Sequence, residues 1–318
     1  MNIRKLLPIT GIVILIYILI TIDLKAIISD FSSIKPIYLI LSLLSLFPIL
    51  IMTNFEWQLI LRKHKIFISY TSSLKNILIG YFYGFITPGG LGGYTRTLYL
   101  KDESREPLQK CVSNILILNT IDYISLLLLG VIGGILVSSR YPNFFIIIGL
   151  LLVIVITLFL LFLLKKETLQ RFIKKMVRYK FFNSLKEKSG LSIDSFYEDM
   201  LHPGDLFVPF IISILGWILC FSELYLISKL FSIEVPYIYF ILIIAIANVV
   251  ASLPITIYGL GTRELTMISL FSIFNVIPEK IVSLSLFWFA IVWLFPSLLG
   301  AVVAVSEGRR LNHYKFNR

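Results

Sequence analysis

The sequence predicts an all-α polytopic membrane protein of about eight transmembrane helices plus re-entrant or broken helices, arranged as an inverted pseudo-repeat. Three observations carry this. The 318 residues are 58% hydrophobic and only 15% charged, with mean hydropathy +0.91, far less charge than a soluble chain of that length carries. Uncharged runs such as Ile37 to Phe55, Phe144 to Leu164 and Ile281 to Val305 are each about long enough to cross ~30 Å of hydrocarbon at ~1.5 Å per residue. They are continuous rather than alternating, which disfavours a β-barrel. Third, one unusual punctuation occurs twice, as Pro88-Gly-Gly-Leu-Gly-Gly-Tyr-Thr-Arg96 and as Pro254-Ile-Thr-Ile-Tyr-Gly-Leu-Gly-Thr-Arg-Glu264. Inside a bilayer such a break needs partners for its backbone groups, and its arginine needs a counter-charge or water. Two breaks in two halves point to paired discontinuous helices around a polar site.

The elements follow in order. Arg4 and Lys5 precede an apolar stretch, but Asp23-Leu-Lys-Ala-Ile-Ile offers no small-residue cleavage site, so Leu7 to Ile22 reads as a retained crossing rather than a signal peptide. A second crossing runs from Pro36 to about Phe55, with Glu56 and Trp57 as interface residues. Arg62, Lys63, Lys65 and Lys75 make a positive, hence cytoplasmic, connection. Leu74 to Thr87 is short. If it crossed alone, the basic run Lys165 to Lys188 would fall outside, so with Gly89 to Leu100 it is expected to dip in and return. Cys111 to Val137 and Phe144 to Leu164 are the next crossings. The segment from Lys165 to Asp205 is expected to be a cytoplasmic basic loop (165–205) within a single integral membrane domain, 1–318. Leu206 to Ile227 and Pro236 to Leu253 read as further crossings. Leu265 to Ile277 is expected to cross as well, alone or with the unwound residues before it. Ile281 to Val305 is the last, and Arg309, Arg310, Lys315 and Arg318 mark its following end as cytoplasmic. The location expected is therefore the cell membrane, multi-pass, with both termini cytoplasmic.

Net charge is +11. In a membrane protein that excess sits in loops and serves topology and anionic lipid contact, so no nucleic-acid partner is expected. Cys111 and Cys220 lie in apolar surroundings and read as structural thiols. His64, His202 and His313 form no ligand cluster, and neither metal nor cofactor is expected. No Gly-x4-Gly-Lys-Ser/Thr run is present, which argues against direct drive by ATP.

The polar residues at membrane depth are the functional candidates. Arg96 and Arg263 each offer a planar fork of donors to a lipid phosphate. Around them Pro88, Gly89, Gly90, Gly92, Gly93, Pro254, Gly259 and Gly261 would let a headgroup approach the backbone. Helices starting after each break would point favourable dipoles at an anion. Glu264, next to Arg263 in sequence, is expected to point elsewhere on its helix, pairing with Arg96 across the bundle or capping amides of the first turn. Asp122 would answer an arginine or take part in proton coupling, or else fix helix packing as an ion pair. Glu223 and Asn248 invite the same two readings. Asn114, Asn119 and Thr120 share the apolar region of Asp122, and Tyr81, Tyr83, Tyr94 and Tyr258 flank the breaks. The competing reading has both arginines snorkelling to an interface and the glycines forming tight turns.

The stretches Tyr83 to Arg96 and Leu253 to Glu264 resemble the two hallmark stretches of the lysylphosphatidylglycerol synthetase transmembrane-region family, whose members are also described as flippase-like or UPF0104 membrane proteins. The second is the more specific, because Gly259, Gly261, Arg263 and Glu264 all match a Gly-x-Gly-x-Arg-Glu run. The resemblance implies a lipid flippase or transporter that moves an anionic, phosphate-bearing lipid between leaflets, its headgroup held by Arg96 and Arg263. In the large bacterial members a separate soluble domain transfers the amino acid, and this chain, ending at Arg318, is expected to lack it. The implied partners are an anionic phospholipid or a polyprenyl-phosphate-linked lipid, and a glycosyltransferase or lipid-modifying enzyme. The alternatives are a membrane-embedded transferase acting on such a lipid, for which no catalytic arrangement is recognisable, and a noncatalytic membrane partner of a glycosyltransferase.

Overall fold

A computed structural model describes residues 24–138, 201, 203–252 and 259–316, and every regular element among them is helical. Local chemistry sets the helix starts. After α1 (Leu24–Ser33), an extended Lys35 leads into α2 (Pro36–Lys63), whose first residue is a proline placed where no amide donor is needed. The Ser69 side chain caps α3 (Tyr70–Phe85) by accepting from the Ser72 amide at 3.1 Å. The chain then tightens into a 3-10 stretch over Pro88–Thr95 and resumes as α4 (Arg96–Ser104). A left-handed Arg105 ends α4, and α5 (Leu108–Ser138) follows. After a 3-10 turn at Pro203–Leu206 come α6 (Phe207–Ser228), α7 (Tyr237–Ser252), α8 (Thr262–Phe271) and α9 (Pro278–Phe289). A π-helical turn at Ala290–Leu294 joins α9 to α10 (Phe295–Phe316).

Four spans among the described residues are long and apolar enough to cross a bilayer: Pro36–Lys63, Leu108–Val137, Gly204–Phe231 and Pro278–Glu307. Ile51, Leu215 and Val302 lie exposed on them, as side chains facing lipid tails do.

Side-chain pairs show which helix ends lie together. Lys63 meets Asp205 at 2.7 Å and Lys75 meets Glu307 at 2.8 Å. The end of α2, the starts of α3 and α6 and the later part of α10 therefore share one end of the bundle, here the basic end. Both pairs are partly solvated and contribute ~0–1 kcal/mol, so they report proximity more than they create it. Ser45 of α2 bonds Glu223 of α6 at 2.6 Å near the opposite end, which makes these helices antiparallel.

Between the long spans stand two hairpins. The first is α3, the 3-10 stretch and α4. Asn76 in α3 donates to Glu103 at the end of α4 (3.3 Å), so the chain returns to the basic end from which it came. This is the dip and return expected for Leu74 to Leu100. The second is α7 and α8. Gly130 of α5 packs on Val249 and Gly133 on Leu242, so α7 runs antiparallel to α5, away from the opposite end. Gly259 then lies against Ala251, and Phe271 at the end of α8 stacks near Phe240 at the start of α7, ring centroids 5.2 Å apart. The second hairpin thus returns to the opposite end. The expectations that Pro236 to Leu253 and Leu265 to Ile277 each cross are corrected here: they are the two arms of one re-entrant hairpin. At 16 residues, α3 and α7 each reach about 24 Å, short of a ~30 Å core. The return arms α4 and α8 have 9 and 10 residues. Each hairpin sits between two long spans, and the two enter from opposite ends. That is an inverted repeat of span, hairpin, span.

Phe240 through Ala247 of α7 are buried on every side of the helix, which explains an apolar run without amphipathic periodicity. The expected crossings Leu7 to Ile22 and Phe144 to Leu164, and nearly all of the basic loop Lys165 to Asp205, lie outside the described residues.

Candidate functional site

Each hairpin carries an arginine at its deep turn, and the two arginines are held differently. In the first, Gly90, Gly92 and Gly93 lie in the 3-10 stretch, which packs onto α3. A Cβ on Gly92 would collide with the Tyr83 carbonyl and the Thr87 hydroxyl. That hydroxyl donates to the Tyr83 carbonyl at 2.8 Å and accepts from the Gly92 amide at 2.6 Å. The threonine thereby satisfies a broken helix end that lipid could not satisfy. Arg96 follows at the first turn of α4, with its aliphatic stem close to Gly80.

The Arg96 guanidinium lies over the Trp57 ring, 5.4 Å from Cζ to the centroid, and its Nη2 donates to Asn119 Oδ1 at 2.9 Å. Its Nε is buried without a partner. Asp122, one helical turn beyond Asn119 on α5, supplies opposite charge at longer range. Its own Oδ1 accepts from Ser213 at 3.0 Å, and its main-chain carbonyl accepts from the Trp217 indole at 3.2 Å. Trp57 is held in place beneath the arginine: its indole donates to Asn114 Oδ1 at 2.8 Å, and Asn114 in turn meets His64 Nδ1 at 2.8 Å. Asn114 and Asn119 are thus both drawn into the arginine's surroundings, while Thr120 bonds back to the Leu116 carbonyl of its own helix.

Arg263 is 1% exposed and Glu264 fully buried. The arginine donates through Nη2 to Glu264 Oε1 at 2.8 Å and through Nε to the same oxygen at 3.2 Å. Nε also reaches Ser285 Oγ at 3.0 Å, and Ser285 donates to Oε1 at 2.6 Å. Trp288 and Phe289 lie near Cζ at 5.3 and 5.8 Å. The other oxygen, Oε2 of Glu264, accepts from the Gly261 amide at 2.5 Å and so caps α8. The expectation that Glu264 points away from Arg263 is corrected. At the third position of the helix its side chain curls back toward the cap, and the arginine folds over to meet it. The first-turn capping role holds. Gly259 has φ +72°, and a Cβ there would strike Ala251, so this turn admits glycine alone. Gly261, also at positive φ, starts the helix. Pro254 and Tyr258 lie outside the described residues.

The two hairpin tips converge on the last span. Phe85, at the end of α3, packs on Phe289 with ring centroids 6.0 Å apart. Phe289 also lies beside the Arg263 guanidinium. Tyr81 packs on Trp293 one turn further along.

Glu56 is the residue that sequence reasoning underweighted. It is 4% exposed, its Oε1 has no partner, and it faces Asp122 and Ser213. The available signal was its spacing: seven residues before Lys63, about 10 Å inside the end of α2. Glu223 is tied to Ser45, away from both arginines in sequence and partner, and Asn248 bonds back to the Ile244 carbonyl of α7. Among the described residues no group of His, Cys, Asp and Glu has the makings of a metal site, and Cys111 and Cys220 are buried free thiols.

This arrangement agrees with the match of the chain to known proteins. Residues 8–300 match the family model described as lysylphosphatidylglycerol synthase TM region. The chain belongs to this family. Within curated proteins it is similar to a UPF0104 membrane protein of Methanocaldococcus jannaschii, 24% identical over 312 residues, covering 92% of each chain. Both hairpins fall inside the matched residues.

Proposed function

We propose that this family member moves an anionic, phosphate-bearing lipid between leaflets, with Arg96 holding the headgroup. One observation carries the reading: Arg96 sits at a helix break deep in the bundle with a buried Nε that has no partner. An unused guanidinium donor in a low-dielectric site is costly to leave unmet and is satisfied by a phosphate oxygen. Two hairpins entering from opposite ends support the same reading, since access from either side then needs only short movements. The family description, a transmembrane region of synthases of lysylphosphatidylglycerol, supports phosphatidylglycerol or a related phosphate-bearing lipid as cargo. Roles divide between the motifs. Arg96 contacts the headgroup, while Arg263, engaged by Glu264 and Ser285, braces the second hairpin. The basic end faces the cytoplasm by its lysine and arginine excess.

The test is translocation of tail-labelled phosphatidylglycerol in proteoliposomes, measured per folded molecule. Arg96→Ala is expected to abolish it while the protein still folds. Arg96→Lys is expected to restore part, keeping charge but losing the planar fork. Full translocation by Arg96→Ala refutes the headgroup role. A covalently altered lipid in the same vesicles, detected by mass spectrometry, refutes transport as the primary activity.

A further inference from the structure

Glu56 on α2 and Asp122 on α5 face the hydroxyl of one serine, Ser213 on α6. That hydroxyl has a single proton and gives it to Asp122, 3.0 Å away. Glu56 is left 4% exposed with an unpartnered Oε1. A buried carboxylate is costly when ionised, and more so beside a second one. Among the described residues, the remaining charged or titratable groups that face the cluster are Arg96 from α4, Tyr81 from α3, Tyr94 from the 3-10 stretch and Tyr123 from α5. α6 contributes Ser213 and the Trp217 indole. Arg96 is the cation in this set. With Arg96 charged and one proton held between the two carboxyls, the cluster is neutral. An anion arriving at Arg96 adds a negative charge to the same enclosure. Asp122, whose counter-charge is then shared, restores neutrality by accepting a proton.

We propose that Glu56, Asp122 and Ser213 form a proton-binding site coupled to Arg96, so that each anionic headgroup enters together with about one proton. The proposal rests on Arg96 being the headgroup site. The proton comes from water, forms a carboxyl O–H and returns to water when the anion leaves.

The experiment uses the full chain in detergent and short-chain phosphatidylglycerol, a phosphodiester with no titrating group near neutral pH. Calorimetric titrations in buffers of different ionisation enthalpy count the protons taken up. The expected result is about one proton per lipid, with affinity weakening about tenfold per pH unit on the alkaline side of the pair's titration. The double variant Glu56→Gln/Asp122→Asn is expected to bind without proton uptake and with an affinity flat in pH. Binding that needs Arg96 but takes up no proton overturns the coupling and leaves the headgroup site standing. Absence of binding by the native chain overturns both. A requirement for sodium ion in place of proton uptake overturns the proton site and assigns the carboxylates to a metal cation. Uptake that persists in the double variant overturns it too, by placing the proton elsewhere. If the double variant does not fold, the proton count of the native chain decides alone.

Discussion

Replacing Arg263 with methionine separates a brace from a ligand. The substitution keeps an unbranched apolar stem beside Trp288 and Phe289 but removes the charge. Glu264 Oε1 then loses two donors, at 2.8 and 3.2 Å, and keeps only Ser285. Oε2 remains tied to the Gly261 amide. Breaking a fully buried pair on one side costs ~3–5 kcal/mol, and the surviving serine bond places this case near the lower limit, about 3 kcal/mol or roughly a hundredfold in the folding equilibrium. Adding Glu264→Gln removes the stranded charge. The amide oxygen still caps the Gly261 amide, so the double variant is expected to recover most of the loss, giving a coupling energy of about 2 kcal/mol. The assay is reversible unfolding in mixed micelles for native chain, both single variants and the double variant. Lipid translocation per folded molecule is measured alongside and is expected to stay within about threefold of native for the double variant, a shift below ~1 kcal/mol. If Arg263→Met leaves stability unchanged and the two substitutions add without coupling, the brace reasoning is refuted. If the double variant is stable but inert, Arg263 touches the headgroup after all.

Three further outcomes are expected. Gly92→Ala should disrupt the first hairpin, since a Cβ would drive into the Tyr83 carbonyl and break the threonine bridge; loss of phosphatidylglycerol binding together with lowered unfolding midpoint checks it, and native binding contradicts it. Gly259→Ala should cost at least ~1–2 kcal/mol from its left-handed backbone alone, before the contact with Ala251, read in the same unfolding assay. In a background lacking Cys111 and Cys220, single cysteines at Lys63 and Asn275 should react with an impermeant reagent from opposite sides of oriented vesicles, because the first stands at the basic end and the second just after α8; labelling from one side would refute the second hairpin.

The long spans were readable because crossing a bilayer demands about twenty apolar residues, and no other pressure produces such runs. The first hairpin was also legible, because a full crossing by Leu74 to Thr87 would have put the lysine-rich segment on the wrong side. The second was not. Two short crossings and one hairpin both leave the chain on the side where it started, so the basic residues after the last span fit either. α7 is apolar all round because it is buried in protein rather than because it meets lipid, and composition does not distinguish those environments. The doubled Pro-Gly-Arg punctuation located both arginines. It could not tell that one is paired with a buried carboxylate and the other has a buried Nε without a partner, since that depends on Ser285 approaching Glu264 from 21 residues away. Glu56 was read as an interface residue for a related reason: its position beside Trp57 suits a membrane boundary equally well.

The π-helical turn at Ala290–Leu294 gives the last span a property that a uniform α-helix lacks. On one side of it Ser285, Trp288 and Phe289 meet Arg263, and on the other Ser297 reaches the Tyr81 carbonyl while Gly300 rests on the Leu78 carbonyl. The extra residue in the wide turn sets the two halves about 100° out of phase with each other. One continuous rod therefore touches both hairpins, and the wide turn lets each of its halves present the face that its own hairpin needs.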